Sequence, residues 1–146
     1  MNVLYKKDEN LSFDTALIKT NPDFEDLQSF LDYIKNFNKK LTVKKGDNNY
    51  LIPTNDFLRF YSGAKSVYAQ TDTSEYHISK RLYELEKELP VQFVRVSNSE
   101  IINLNYVSQF SLSVGGIINI EFKNGIKTSS SRRYLKKIKE ILYHER

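Results

Sequence analysis

Residues 93–107, FVRVSNSEIINLNYV, and residues 120–142, IEFKNGIKTSSSRRYLKKIKEIL, decide how this chain is read. In the first block Val94 and Val96 alternate with Arg95 and Ser97, the period of a strand that buries one face. Ser97-Asn98-Ser99 interrupts it with turn-forming side chains, and a second strand-rich run, IINLNYVSQFSLSV, begins at Ile101. In the second block Asn124-Gly125 between apolar runs is the strongest short-range hairpin signal a sequence can carry. The period then lengthens. From about Ser131 to Tyr143, a helical winding puts Tyr134, Leu135, Ile138, Ile141 and Leu142 on one side, with Arg132, Arg133, Lys136, Lys137 and Lys139 opposite.

Upstream the same alternation recurs. LTVKKGDNNYLIP, from Leu41 to Pro53, reads as a hairpin turning at Gly46-Asp47-Asn48. FLRFYSGAKSVYAQT adds two strands around Ser62-Gly63-Ala64, and a strand or turn follows near Thr73–Ile78. Ser79 opens a short helix with Leu82, Leu85 and Leu89 inward and Pro90 beyond its end. Gly115-Gly116 marks another turn. Nearest the amino terminus, LSFDTALI (residues 11–18) reads as a short strand. Asn21-Pro22-Asp23 then introduces an amphipathic helix over about 23–37, with Phe24, Leu27, Phe30, Leu31, Ile34 and Phe37 on its apolar stripe. The expected division is an extension over 1–40, its helix packed on the remainder, and a principal domain over 41–146.

Composition narrows the function. The chain has 146 residues, 40% hydrophobic and 27% charged, as expected of one ordinary globular domain with a short appendage. It contains no apolar run of membrane-spanning length, and MNVLYKKDEN lacks the apolar core of a secretory signal, so the cytoplasm is expected. With no cysteine, disulfides and thiolate nucleophiles or metal ligands are excluded. The histidines, His77 and His144, lie far apart with no ligand-like or catalytic spacing around them, and no Gly-rich phosphate loop is present. Glu84, Glu86 and Glu88 beside Lys80, Arg81 and Lys87 read as a salt-bridged helix face. Neither an enzyme nor a cofactor or metal binder is expected. The formal net charge of +4 has a telling location. Lys127, Arg132, Arg133, Lys136, Lys137, Lys139 and Arg146 face only Glu140 and Glu145 over the last twenty residues, while acids and bases nearly balance elsewhere. Positive charge concentrated this way attracts a polyanion.

Taken in order, Phe93, Arg95, Ser97, Ser99, Ile102, Asn103, Leu104, Asn124, Gly125, Ser131, Arg132, Arg133 and Tyr134 resemble the second half of a LytTR DNA-binding domain. IPTNDFLRFYSGAKSVYAQT is similar to that family's first half, so the resemblance covers about 41–146. It implies a mainly β domain of small antiparallel sheets, with a short mid-chain helix and a basic C-terminal helix, here preceded by a small α/β N-terminal extension. It also implies loop contacts to double-stranded DNA rather than a helix-turn-helix.

The residues this carries over are Lys65 and Ser66, with Val67 beside them; Ser97, Asn98 and Ser99; and Arg132 and Arg133, with Lys136 and Lys137 nearby. Asn98 has the amide needed to pair with adenine, and Arg133 the fork that reads guanine. Arg95 and Asn103 read instead as strand-internal residues that fix the fold, and Tyr134 as packed. The resemblance further implies promoter direct repeats occupied by pairs of domains, a homodimer on DNA, and a regulatory membrane protein as partner. Forty residues are too few for a receiver domain. The rival function is a protein-interaction module of the same fold with little specific DNA affinity. A third, a single-strand or RNA binder, requires tyrosines exposed together on a sheet face.

Overall fold

The computed structural model describes residues 2–143; His144, Glu145 and Arg146, named above, lie outside the described residues. The alternating runs become ten strands: β1 (Lys40–Lys45), β2 (Asn48–Pro53), β3 (Phe57–Gly63), β4 (Ser66–Thr71), β5 (Glu75–Ile78), β6 (Phe93–Ser97), β7 (Glu100–Asn103), β8 (Val107–Leu112), β9 (Ile118–Phe122) and β10 (Lys127–Ser129). Three helices accompany them: α1 (Leu27–Asn36), α2 (Leu82–Glu88) and α3 (Leu135–Tyr143). The fold is mainly β, as the sequence indicates. β1 to β7 form one sheet in the order β2-β1-β5-β4-β3-β7-β6, and β10-β9-β8 form a second. Every observed strand pairing is antiparallel.

Alternation along the strands gives the larger sheet two different faces. On one, Leu41, Val43, Phe57, Phe60, Ala69, Ile78 and Ile101 pack with Leu82 and Leu85 of α2. On the other, Leu58, Val94, Val96 and Ile102 pack against Ile118, Ile120 and Phe122 of the small sheet and Ile138 of α3. A register shift in β3 between Phe57 and Arg59 lets Leu58 reach the second core while Phe57 and Phe60 stay in the first.

The run IINLNYVSQFSLSV does not remain one strand. A 3-10 turn at Leu104–Tyr106 divides it, leaving β7 in the large sheet and β8 in the small one. Asn103 causes the break. Its fully buried amide donates to the Phe57 carbonyl at 2.9 Å and accepts from the Asn105 N–H at 3.0 Å, satisfying backbone that no ladder reaches. This is the fold-fixing role read for it from the sequence.

Several expected boundaries move. α2 begins at Leu82 and not at Ser79, because the Glu84 carboxylate accepts from the Arg81 N–H at 3.0 Å and caps the helix there. α1 begins at Leu27: Asn21 folds a tight turn on itself, its side chain accepting from Asp23 N–H at 2.8 Å, before any helix starts. The final helix is preceded by a 3-10 turn over Arg132–Tyr134, and Ile141, placed on the apolar side, is 40% exposed.

Residues 11–18 do not form the expected strand. Their backbone bonds locally, Leu11 N–H to the Asp8 carbonyl and Thr15 N–H to that of Ser12, while the Ser12 and Thr15 hydroxyls bond each other at 2.7 Å. Short polar side chains that satisfy nearby backbone compete with sheet pairing. The extension is therefore helix and turns, not α/β. Nor does α1 pack into the remainder as expected: it contributes no residue to either core. Phe24 meets Phe30 edge-on at 6.1 Å, and the two help line a cleft with Leu4, Leu11 and Leu17 of the preceding segment. Among the described residues no helix is long and apolar enough to cross a membrane.

Candidate nucleic-acid interface

Three segments distant in sequence meet at one end of the large sheet. The first is the β3–β4 hairpin. Gly63 pairs with Ser66, leaving Ala64 and Lys65 as a two-residue turn with φ of +41° and +70°. Both residues are left-handed, as the twist of a tight hairpin requires, although neither is glycine. Lys65 is exposed at the tip and Ser66 half-buried beside it; Val67 packs on the core and offers nothing outward.

The second segment is the β6–β7 turn. Ser97 pairs with Glu100 around Asn98 and Ser99. The Ser97 hydroxyl accepts from the Ser99 N–H and lies 3.2 Å from the Ser99 hydroxyl, so both serines shape the turn. Arg95 grips the same turn from beneath. Its guanidinium donates to the Ser97 carbonyl at 2.8 Å and the Asn98 carbonyl at 2.6 Å, and pairs with Glu86 of α2 at 3.1 Å. Arg95 thus fixes the turn, as its strand-internal position suggests. The Ser62 N–H donates to the Ser99 carbonyl at 2.9 Å, tying the two hairpins together.

The third is the approach to α3. The Ser131 N–H donates to the Val96 carbonyl at 2.8 Å, and the buried Ser130 hydroxyl accepts from the Ile118 N–H at 3.1 Å. These bonds deliver Arg133 to the β6–β7 turn, where its guanidinium donates to the Asn98 side-chain oxygen at 3.2 Å. The Tyr134 hydroxyl donates to the same oxygen at 3.3 Å. The Tyr134 ring lies 5.8 Å from the Arg95 guanidinium and 5.7 Å from that of Arg133, within cation–π range. Tyr134 is packed, as expected, but it also organises both arginines. Arg132, Arg133, Lys136 and Lys137 are exposed, and among the described residues neither they nor Lys65 has an ion-pair partner.

Sequence reasoning missed Arg59, Gln70, Glu100 and Thr128, which lie just behind these segments. Arg59 donates to Gln70 at 2.7 Å and pairs with the buried Glu100 at 3.1 Å, and Thr128 donates to the other Glu100 oxygen. A carboxylate directly after a turn can be seen in the sequence; its burial and the partners that converge on it cannot. Tyr61, on β3, stacks on Tyr68 at 5.3 Å, and its phenol is pushed up to about 12 by burial first and by the Glu75 carboxylate second. Tyr68 in turn meets His77 at 4.7 Å. The well-exposed tyrosines, Tyr33, Tyr50, Tyr83 and Tyr143 among them, sit on different elements. Such scatter does not make the stacking platform an RNA binder uses.

Residues 47–143 match the model of the LytTr DNA-binding domain family. The chain belongs to this family. Curated relatives of the LytTR chain include an uncharacterised HTH-type transcriptional regulator of Staphylococcus aureus strain NCTC 8325, 37% identical over 120 residues, or 81% of this chain and 82% of that protein. One from strain MRSA252 is 36% identical over 118 residues, 80% of each chain. Among solved structures, a LytTr DNA-binding domain from Bacillus cereus superposes with a TM-score of 0.68 at 21% identity, covering 70% of this chain and 95% of that one. The "HTH" in the relatives' names has no counterpart in this LytTR fold, where strands separate every pair of successive α-helices among the described residues.

Proposed function

We propose that this LytTR protein is a cytoplasmic, sequence-specific transcription regulator of double-stranded DNA, comprising an extension over 1–40 and the DNA-binding domain over 41–146. One observation carries the reading: Lys65, Asn98 and Arg133, far apart in sequence, project from a single end of the sheet, with Lys136 and Lys137 one turn beyond and, among the described residues, no acidic side chain paired to any of them. Lys65, Arg132, Lys136 and Lys137 neutralise phosphates and supply most of the affinity. Ser66, Ser97 and Ser99 offer hydroxyls to the backbone, and Arg133 and Asn98 read base edges. The Asn98 oxygen already accepts from Arg133 and Tyr134, so its amide N–H₂ is the group free to donate, to a purine N7 or a phosphate. Two copies occupy direct repeats in a promoter. A regulatory membrane-protein partner meets the apolar side of α1.

The test is an anisotropy titration against the chain's own promoter region beside scrambled duplex, at two salt concentrations. The reading expects tight, selective binding that weakens as salt rises. Equal, weak binding to both duplexes would overturn it in favour of a protein-interaction module.

A further inference from the structure

Glu100 is 7% exposed, the one charged residue among the described residues that is buried. It opens β7 immediately after the Ser97–Ser99 turn. Its two oxygens serve different sheets. One accepts from Arg59 of β3 at 3.1 Å, and Arg59 also donates to Gln70 of β4 at 2.7 Å, so this arm grips both strands of the Lys65 hairpin. The other accepts from the Thr128 hydroxyl on β10, two residues before the Ser130-Ser131 backbone that delivers Arg132 and Arg133. One carboxylate is thereby bonded, directly or through one neighbour, to all three segments of the interface.

A buried ion pair is a poor source of stability, since apolar residues of similar volume often hold a fold as well. What apolar packing lacks is direction. Two charge-assisted hydrogen bonds of defined direction set the spacing of the Lys65 hairpin, the Asn98 turn and the Arg133 turn. Base reading depends on that spacing, whereas attraction to phosphate does not. We propose that Glu100, through Arg59 and Thr128, is a positioning residue that sets the separation of the three DNA-contacting segments and hence the protein's selectivity among sequences. This rests on those segments being the DNA contacts.

The experiment compares the full chain with Thr128→Val, Thr128→Ser and the paired replacement Arg59→Met with Glu100→Leu. Affinity is measured for promoter and scrambled duplexes, with thermal melting alongside. Thr128→Val removes one hydroxyl, and its ratio of promoter to scrambled affinity is expected to fall about tenfold, the worth of a hydrogen bond to a charged group. Scrambled-duplex affinity and its salt slope stay put, while the melting temperature falls modestly because one oxygen of the buried Glu100 loses its donor. Thr128→Ser keeps the hydroxyl and restores the ratio. The paired replacement folds and loses the ratio likewise. A selective wild-type chain whose Thr128→Val variant keeps its full ratio would overturn the positioning role and leave the interface standing. A wild-type chain with no selectivity would instead overturn the interface.

Discussion

Asn98 answers two donors with one oxygen, and that arrangement ties the fate of Arg133 to it. Arg133 is exposed and outside both cores, so Arg133→Ala should leave melting within about 0.5 kcal/mol of the parent. Selective DNA binding should weaken by about 1–3 kcal/mol, as measured by titration against promoter duplex; unchanged binding would remove Arg133 from the interface. Asn103 is the opposite case. Asn103→Ala strands the Phe57 carbonyl in the interior and takes the acceptor from the Asn105 N–H, so denaturant titration should show a loss of about 1–3 kcal/mol. Tyr61 gives a pH dependence. Its folded-state pKa of about 12 lies above the ordinary 10.0, so folding favours the neutral phenol. That contribution is complete below pH 10 and drains away as pH rises towards 12. In Tyr61→Phe the Tyr61 share of this alkaline fall should vanish from unfolding curves taken on either side of pH 10. At this scale the sequence was informative where one side chain decides: Arg95 and Asn103 read correctly as internal. It was silent on Glu100, because its role depends on Arg59 and Thr128, 41 and 28 residues away.

Elements were legible where a local signal coincided with a ladder to join. Asn124-Gly125 made its hairpin, and the alternation at Val94 and Val96 made β6. Residues 11–18 had an adequate apolar pattern but bonded locally instead, and a strand without a partner is no strand. The division of residues 101–112 between two sheets turned on Asn103, whose amide mimics backbone, and no periodicity announces that. The β3–β4 turn carries a conflict of its own. Ala64 and Lys65 both hold a left-handed backbone, which costs a residue with a Cβ about 1–2 kcal/mol. Asparagine tolerates that conformation better, so Ala64→Asn should stabilise the protein by about 0.5–1 kcal/mol in thermal unfolding. It should leave promoter affinity alone, because Lys65 keeps its place at the tip. A loss of stability would mean that the turn adopts another geometry in solution.

For the whole molecule the question is what the first forty residues do for the rest. Both cores begin at Leu41 or later, and at the junction the Lys39 carbonyl accepts from the Thr54 N–H at 2.9 Å. The extension meanwhile leaves Leu4 94%, Tyr5 88% and Phe13 103% exposed, so it draws little burial energy from its own packing. A chain truncated to begin at Lys39 keeps both sheets, α2, α3 and all three contact segments. It should melt at the parent's temperature and keep the parent's ratio of promoter to scrambled affinity. The truncation removes Lys6, Lys7, Lys19 and Lys35 but all seven acidic side chains of that region, so the truncated chain is more basic. Its affinity for scrambled duplex should therefore rise slightly at low salt, and the difference should close as salt increases. Calorimetry and the two-salt titration decide between two roles. Retained melting and retained selectivity make the extension a separate attachment, free to serve a partner. A collapsed melting transition would make it part of the fold despite its absence from both cores, and the boundary at residue 40 would have to be withdrawn.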